Sequence, residues 1–306
     1  MRIKPRLLII RGPSGRRSRL DNRTSLLEIH FATFLFGLAG LFGKWIALSP
    51  FLIVLGRVAF ASLILGIVLR AARLSLRPIL RRRGALLAVL GAVLAGHWAA
   101  FFQSIQVSSV AAGLLSCYSF PAFTVVLEPL ISKEKLDKRN LFLAVLCLVG
   151  VFLIVPRLDL SNRVYQGVLW GLLAGVSFAV LTLFNRRLAQ EHSSLGLAFL
   201  EDLFAALFLL PCLVFVPARP SGRDLALLAV LGVFCTALSH TLFIQGMKRI
   251  RAQTASIISS LEPVYGILLA LFLLKEVPAV RTLLGGALIL TAVLFVTWKE
   301  KGRSSA

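Results

Sequence analysis

Apolar runs of about 20 residues follow one another along the whole chain, and no other feature constrains the fold as strongly. Ten can be marked, at roughly residues 31–48, 51–70, 84–104, 108–131, 140–156, 166–185, 195–217, 224–246, 252–274 and 281–298. A helix of about 20 apolar residues crosses the hydrocarbon core of a bilayer. In lipid the backbone must satisfy its own hydrogen bonds, which leaves helices or a closed barrel. Barrel strands alternate polar and apolar residues over about ten positions, whereas runs such as 85–95 are unbroken. Only 15% of the residues are charged and 58% are hydrophobic, where a soluble domain is about a quarter charged. The expected fold is an all-α membrane protein with ten transmembrane helices and no room for a soluble domain.

The formal net charge of +21 invites a nucleic-acid reading, and its distribution argues against one. Of 34 Lys and Arg residues, 26 lie in the N-terminal tail, at the C-terminus, or after the second, fourth, sixth and eighth runs. Seven (Lys44, Arg157, Arg163, Arg219, Arg223, Lys275 and Arg281) fall on the other side, at run ends or in the remaining gaps, and Arg57 lies within a run. Alternation of this kind orients membrane helices, with the basic side cytoplasmic. Both termini are therefore expected in the cytoplasm, in a multi-pass protein of the cell inner (plasma) membrane whose basic flanks meet anionic lipid. No nucleic-acid partner is expected.

The second half repeats the first at an offset of 142 residues. Phe101 meets Phe243, Gln103 meets Gln245, Pro121 meets Pro263, Lys133-Glu134 meets Lys275-Glu276, and Arg139 meets Arg281. Polar and proline matches at one constant offset carry weight that apolar matches do not. The expected organisation is a basic cytoplasmic tail (1–27), two five-helix repeats (28–156 and 166–298) and a cytoplasmic C-terminal tail (299–306). The tail is Arg-rich, with Asp21 its only acid, and reads as irregular chain; an organellar transit peptide is the other reading. Five spans per copy force the second copy to enter the membrane upside down. Inverted repeats place a substrate site near mid-bilayer, at the repeat interface.

Polar groups inside apolar runs mark where such a site would lie. In Ser259-Ser260-Leu261-Glu262-Pro263, a carboxyl and a proline share the middle of the ninth run. Proline removes a donor and bends the helix, and a carboxyl at that depth must face protein or water. Glu262 either locks a bent helix through a hydrogen bond or serves transport, by binding a cation or carrying a coupling proton. Its counterpart is Phe120, beside Tyr118 and Pro121, so the second half alone carries the acid. The third run contributes His97, Trp98 and Gln103, the eighth His240 and Gln245, and the ninth also Tyr265. Arg57 either snorkels outward or faces a cavity, with Glu201 and Asp202 as candidate partners; at least one of those acids is expected to snorkel. The cysteines (Cys117, Cys147, Cys212 and Cys235) have no metal spacing. No metal or cofactor is expected.

The Ser259–Pro263 segment, the following Leu273-Leu274-Lys275-Glu276 and the duplicated ten-span layout together resemble the EamA group of the drug/metabolite transporter superfamily, over about residues 28–298. The resemblance implies an inner-membrane transporter of two inverted five-helix halves. Proteins of this kind commonly export amino acids or other metabolites, some by exchange or proton coupling. A Gly often stands where this chain has Lys275. The group is too loose for a substrate to carry over.

The expected function is secondary transport of a small amphipathic metabolite, outward, with a proton or counter-substrate as a further partner. Candidate contacts are His97, Trp98, Gln103, Tyr118, His240, Gln245, Glu262 and Tyr265; Pro121 and Pro263 are the bends; Arg57, Glu201, Asp202 and Glu262 are the charge or coupling candidates. A lipid-headgroup flippase or a sensor on the same fold is the alternative. A membrane-embedded enzyme is disfavoured, because the four histidines (His30, His97, His192 and His240) lie in separate segments with no HExxH or GxSxG motif, and no Walker motif supports direct ATP drive. Reporters fused after Lys133 and after Lys275 are expected to lie on opposite faces of the membrane; both on one face would contradict an inverted duplication.

Overall fold

The computed structural model describes residues 14–132, 138–217, 219–249, 255 and 258–303, and every regular element among them is a helix. In order they are α1 (Ser14–Trp45), α2 (Pro50–Ala71), α3 (Arg77–Val107), α4 (Val110–Cys117), α5 (Phe120–Ser132), α6 (Lys138–Ile154), α7 (Arg163–Glu191), α8 (Ser194–Leu209), α9 (Cys212–Phe215), α10 (Gly222–Gly232), a π turn (Val233–Leu238), α11 (Ser239–Gly246), α12 (Glu262–Leu273) and α13 (Val280–Arg303). Seven helical segments are long and apolar enough to cross a membrane: Arg23–Trp45, Pro50–Ala71, Arg77–Val107, Val110–Leu130, Arg163–Glu191, Ser194–Phe215 and Gly222–Gly246. The apolar parts of α6, α12 and α13 are shorter. Large apolar side chains such as Phe31, Phe51, Leu63, Phe152, Phe208 and Phe272 are exposed, as a lipid-facing surface requires. The chain is a multi-pass, all-helical membrane protein.

Helix starts follow local chemistry. Ser109, Asn162 and Ser193 accept backbone N–H groups at the starts of α4, α7 and α8, and Ser221 with Asp224 forms a capping box on α10. Residues 14–27, read from sequence as irregular chain, continue α1 instead. Residues 1–13, Lys133-Glu134 and 304–306 lie outside the described residues.

Helices of residues 28–156 make their most extensive contacts with those of 166–298: α1 packs on α11 and α12, α2 on α8, α3 on α7 and α8, α4 on α7, and α6 on α13. One mouth of this assembly is tied across the same division. Glu276 accepts from the backbone N–H groups of Val110 (3.2 Å) and Ala111 (3.3 Å) at the start of α4, and Asp224 accepts from Ala47 N–H at 3.3 Å.

The two prolines expected to bend helices instead follow breaks. Helix stops at Cys117 and resumes at Phe120; helix also resumes at Glu262 after turn residues Ser260 and Leu261. Pro121 and Pro263 occupy the second position of the resuming helices, where a missing N–H removes no helical bond. Lys275 follows α12 with φ at 55°, in the left-handed region that favours glycine. Glycine takes this conformation without a Cβ penalty, so lysine here carries strain.

α1 and α12 approach closely at two glycines. A Cβ on Gly37 would lie 2.9 Å from the Glu262 carbonyl and 3.0 Å from the Gly266 nitrogen. Backbone cannot yield as a flexible side chain can. Gly37→Ala is expected to lower thermal stability by overpacking, by about 1–3 kcal/mol. Gly96→Ala, whose Cβ would meet nothing within 4 Å, is expected to be neutral or slightly stabilising. Equal melting temperatures for the two variants in detergent would contradict this crossing.

Candidate functional site

The two helix breaks meet. Tyr118, in the first, donates its hydroxyl to Glu262 Oε2 at 3.1 Å at the end of the second. Glu262 is 8% exposed and Tyr118 1%. Beside them lies a cavity of about 50 Å³. Phe36, Trp98, Phe101, Phe178 and Phe243 give it an aromatic wall, and Arg57, His97, Asn185 and His240 give it polar points. A volume of this size holds a few waters at most, whereas ligand pockets measure roughly 300–1,000 Å³. The space in this structure is therefore too small to hold a metabolite. Four pairs of lining residues stand 142 positions apart: Phe36 and Phe178, Ala39 and Leu181, Trp98 and His240, Phe101 and Phe243.

Arg57 does not snorkel. It is 1% exposed, and its guanidinium carbon sits 3.9 Å from the centroid of the Trp98 ring. Nε donates to Thr236 Oγ1 at 2.9 Å and Nη2 to the Cys235 carbonyl at 3.0 Å. Both acceptors belong to the π turn, a form of helix that recurs at functional sites because it shifts carbonyls out of the regular ladder. These two bonds use two of the five guanidinium donors.

Glu201 and Asp202, the partners expected for Arg57, turn to a histidine instead. Neither acid snorkels; both are fully buried. His240 Nε2 lies 3.5 Å from Glu201 Oε2, and Nδ1 lies 3.7 Å from Asp202 Oδ1. Asn185 donates to Glu201 Oε2 at 3.0 Å. The ring of His240 meets Trp98 edge-on, at 6.1 Å between centroids. His97 has a different role: its Nδ1–H donates to the Ala174 carbonyl at 2.9 Å, and its ring stacks on Phe178 at 5.1 Å.

Of the contacts expected from sequence, His97, Trp98, Tyr118, His240 and Glu262 share the cavity, with Arg57. Gln103, Gln245 and Tyr265 do not line it. Gln245 accepts from Ser194 Oγ at 2.9 Å, and Tyr265 packs edge-on against Phe34 at 5.7 Å. Sequence reasoning missed Thr236, the Cys235 carbonyl, Asn185 and Phe178. Phe36 and Phe178 stand at the repeat offset, and Asn185 is a polar residue close to the end of an apolar run, so both carried a readable signal. The π turn carried none.

Tyr118→Phe is expected to cost roughly 1–3 kcal/mol, since a buried carboxyl loses its donor. A double-mutant cycle with Glu262→Gln should return a coupling of about 0.5–3 kcal/mol in unfolding measurements; strict additivity would mean the two side chains do not interact.

Comparison with known proteins gives the following matches. The EamA-like transporter family matches the chain twice, over residues 24–155 and 165–298. An uncharacterized transporter of Archaeoglobus fulgidus is 30% identical over 203 residues, 66% of this chain and 72% of that protein. A protein of Rickettsia felis named an S-adenosylmethionine uptake transporter is 26% identical, over 64% of this chain and 66% of its own length; one of Rickettsia prowazekii with the same name is 27% identical, over 66% and 68%. A solved structure, titled only as a crystal structure of protein, aligns with a TM-score of 0.63 at 22% identity, covering 96% of this chain and 100% of that one; it speaks to the fold alone.

Proposed function

The chain belongs to the EamA-like transporter family, and from that premise we propose that it carries a small amphipathic metabolite, such as an amino acid or a related compound, outward across the cell inner membrane by alternating access. The relatives are named as transporters, and the chain is a transporter rather than an enzyme. We read the architecture as two inverted five-helix repeats, 28–156 and 166–298, with both termini cytoplasmic. The four cavity pairs at one offset and the alternating basic gaps support this reading.

The carrying observation is the Tyr118–Glu262 hydrogen bond at the meeting of the two breaks, beside a small aromatic cavity. Broken helices place backbone ends and polar groups at membrane depth where a cargo is held. The aromatic wall covers an apolar body. The Arg57 guanidinium suits an anionic group and the Glu262 carboxyl a cationic one, so one molecule with both ends, an ammonium and a carboxylate, satisfies both. The cavity expands when either mouth opens, and Glu276 on the start of α4 is one of the ties that must release. A proton or a counter-substrate supplies the drive. The Rickettsia relatives bring a second cargo to test, S-adenosylmethionine, whose aromatic base and cationic centre suit the same wall and carboxyl.

A flux screen in membrane vesicles with labelled amino acids and S-adenosylmethionine tests this. Glu262→Gln is expected to reduce flux of the accepted cargo at least tenfold while the variant still inserts in the membrane. Wild-type flux for that variant would return Glu262 to a purely structural role.

A further inference from the structure

Behind the cavity wall lies a second polar cluster that cargo recognition does not use. Glu201, Asp202 and His240 are buried together, and His240 is the member that also faces the cavity. Among the described residues, Glu201 Oε1, both oxygens of Asp202, Asn185 Oδ1 and His240 Nδ1 have no hydrogen-bond partner. Buried polar atoms are ordinarily satisfied; His240 Nδ1 and Asp202 Oδ1 face each other at 3.7 Å, and the other three open atoms beside them mark a site built to take up something small.

Charge and geometry identify what it takes. Three buried acids, Glu262 lining the cavity and Glu201 and Asp202 behind His240, stand against one permanent cation, Arg57. Fully ionised, with neutral histidines, this group is two negative charges in excess, which a dry interior does not tolerate. Each ring nitrogen of His240 faces a different carboxyl, while a neutral imidazole has one N–H and one lone pair. The lone pair then faces a carboxylate unless a further proton sits on the ring or on the acid. Among the described residues, no group of three or more His, Cys, Asp or Glu side chains is arranged to hold a metal ion. The other titratable or charged groups near His240 are Arg57 from α2 and His97 from α3; Cys235 of the π turn faces Arg57. Across the cavity stand Cys117, Tyr118 and Glu262; α7 adds the uncharged Asn185 and Thr182, and α1 the apolar Phe36 and Ala39.

We propose that Glu201, His240 and Asp202 form a proton-binding site, loaded and unloaded once per cycle through the cavity-facing edge of His240, and that drive enters here rather than at Glu262. The inference rests on the transport reading. It assigns the two acids of α8 and Glu262 different roles: the first hold the proton, the second the cargo.

Infrared difference spectroscopy of the full chain in lipid nanodiscs, titrated with pH and repeated in D₂O, reads the proton itself and needs no cargo. The wild type is expected to show a protonated-carboxyl C=O band lost on alkalinisation. Asp202→Asn and Glu201→Gln should each remove at least half of its amplitude, His240→Gln should displace its midpoint, and Glu262→Gln should leave at least half. Asp202→Asn is nearly isosteric, and the wild-type spectrum stands alone if any variant misfolds. No titrating band in the wild type, an unchanged band in the folded α8 variants, or a band removed entirely by Glu262→Gln would overturn the assignment. A flux screen that finds no cargo, beside a positive infrared result, would instead count against the transport reading.

Discussion

A helix can be interrupted at membrane depth only where protein covers the interruption, because lipid offers the freed backbone groups nothing. That constraint orders this molecule. The chain breaks at Tyr118-Ser119 and turns at Ser260-Leu261, and the hydrogen bond from Tyr118 to Glu262 ties the two places together. The first break lies against α7, where a Cβ on Gly175 would come within 2.9 Å of the Cys117 carbonyl and 3.4 Å of the Phe120 nitrogen. Gly37 lets α1 lie against the backbone of Glu262 and Gly266, which completes the cover. Glu262 is thereby held both by its hydrogen bond and by backbone packing around it, and the cavity forms beside a pair of helix ends rather than between smooth cylinders.

The membrane class, the helical content and the place of the acid were legible because lipid imposes simple rules: run length, charge alternation, and intolerance of a lone carboxyl. The prolines marked the breaks, although their position at the second residue of a resuming helix shows why proline is tolerated there, not that it bends anything. Less legible was partner choice. Two adjacent acids and one arginine in apolar runs suggest a direct ion pair, but the pairing depends on helix rotation that periodicity does not fix when spans are apolar on nearly every face. Glu201 and Asp202 turned to His240, and Arg57 found the Cys235 carbonyl that a π turn exposes. A π turn inserts about one residue's worth of rotation without any residue signature, so neither it nor the acceptor it supplies could be read in advance. Gln103 and Gln245 matched each other at the repeat offset and still missed the cavity: an offset equates positions, not environments.

The pair Trp98 and His240 shows how a nearly symmetric scaffold acquires one-sided chemistry. The two residues occupy equivalent positions and touch edge-on. Trp98 offers its face to the Arg57 guanidinium, and His240 offers its nitrogens to the two acids. Phe120 and Glu262 divide in the same way, one apolar and one acidic. An exchange of conformations between two similar halves needs closely matched packing, which the paired aromatics and aliphatics around the cavity supply. A single cargo and a single drive need the opposite, an odd charge on each side of the division. On the proposed mechanism both demands are met by keeping apolar members of the cavity in pairs and varying the few positions that carry charge. Losing the match should then impair the exchange itself, while losing an odd charge should impair what is carried or what drives it. The two kinds of residue are thus separable by whether substitution changes the conformational equilibrium or the chemistry of the site.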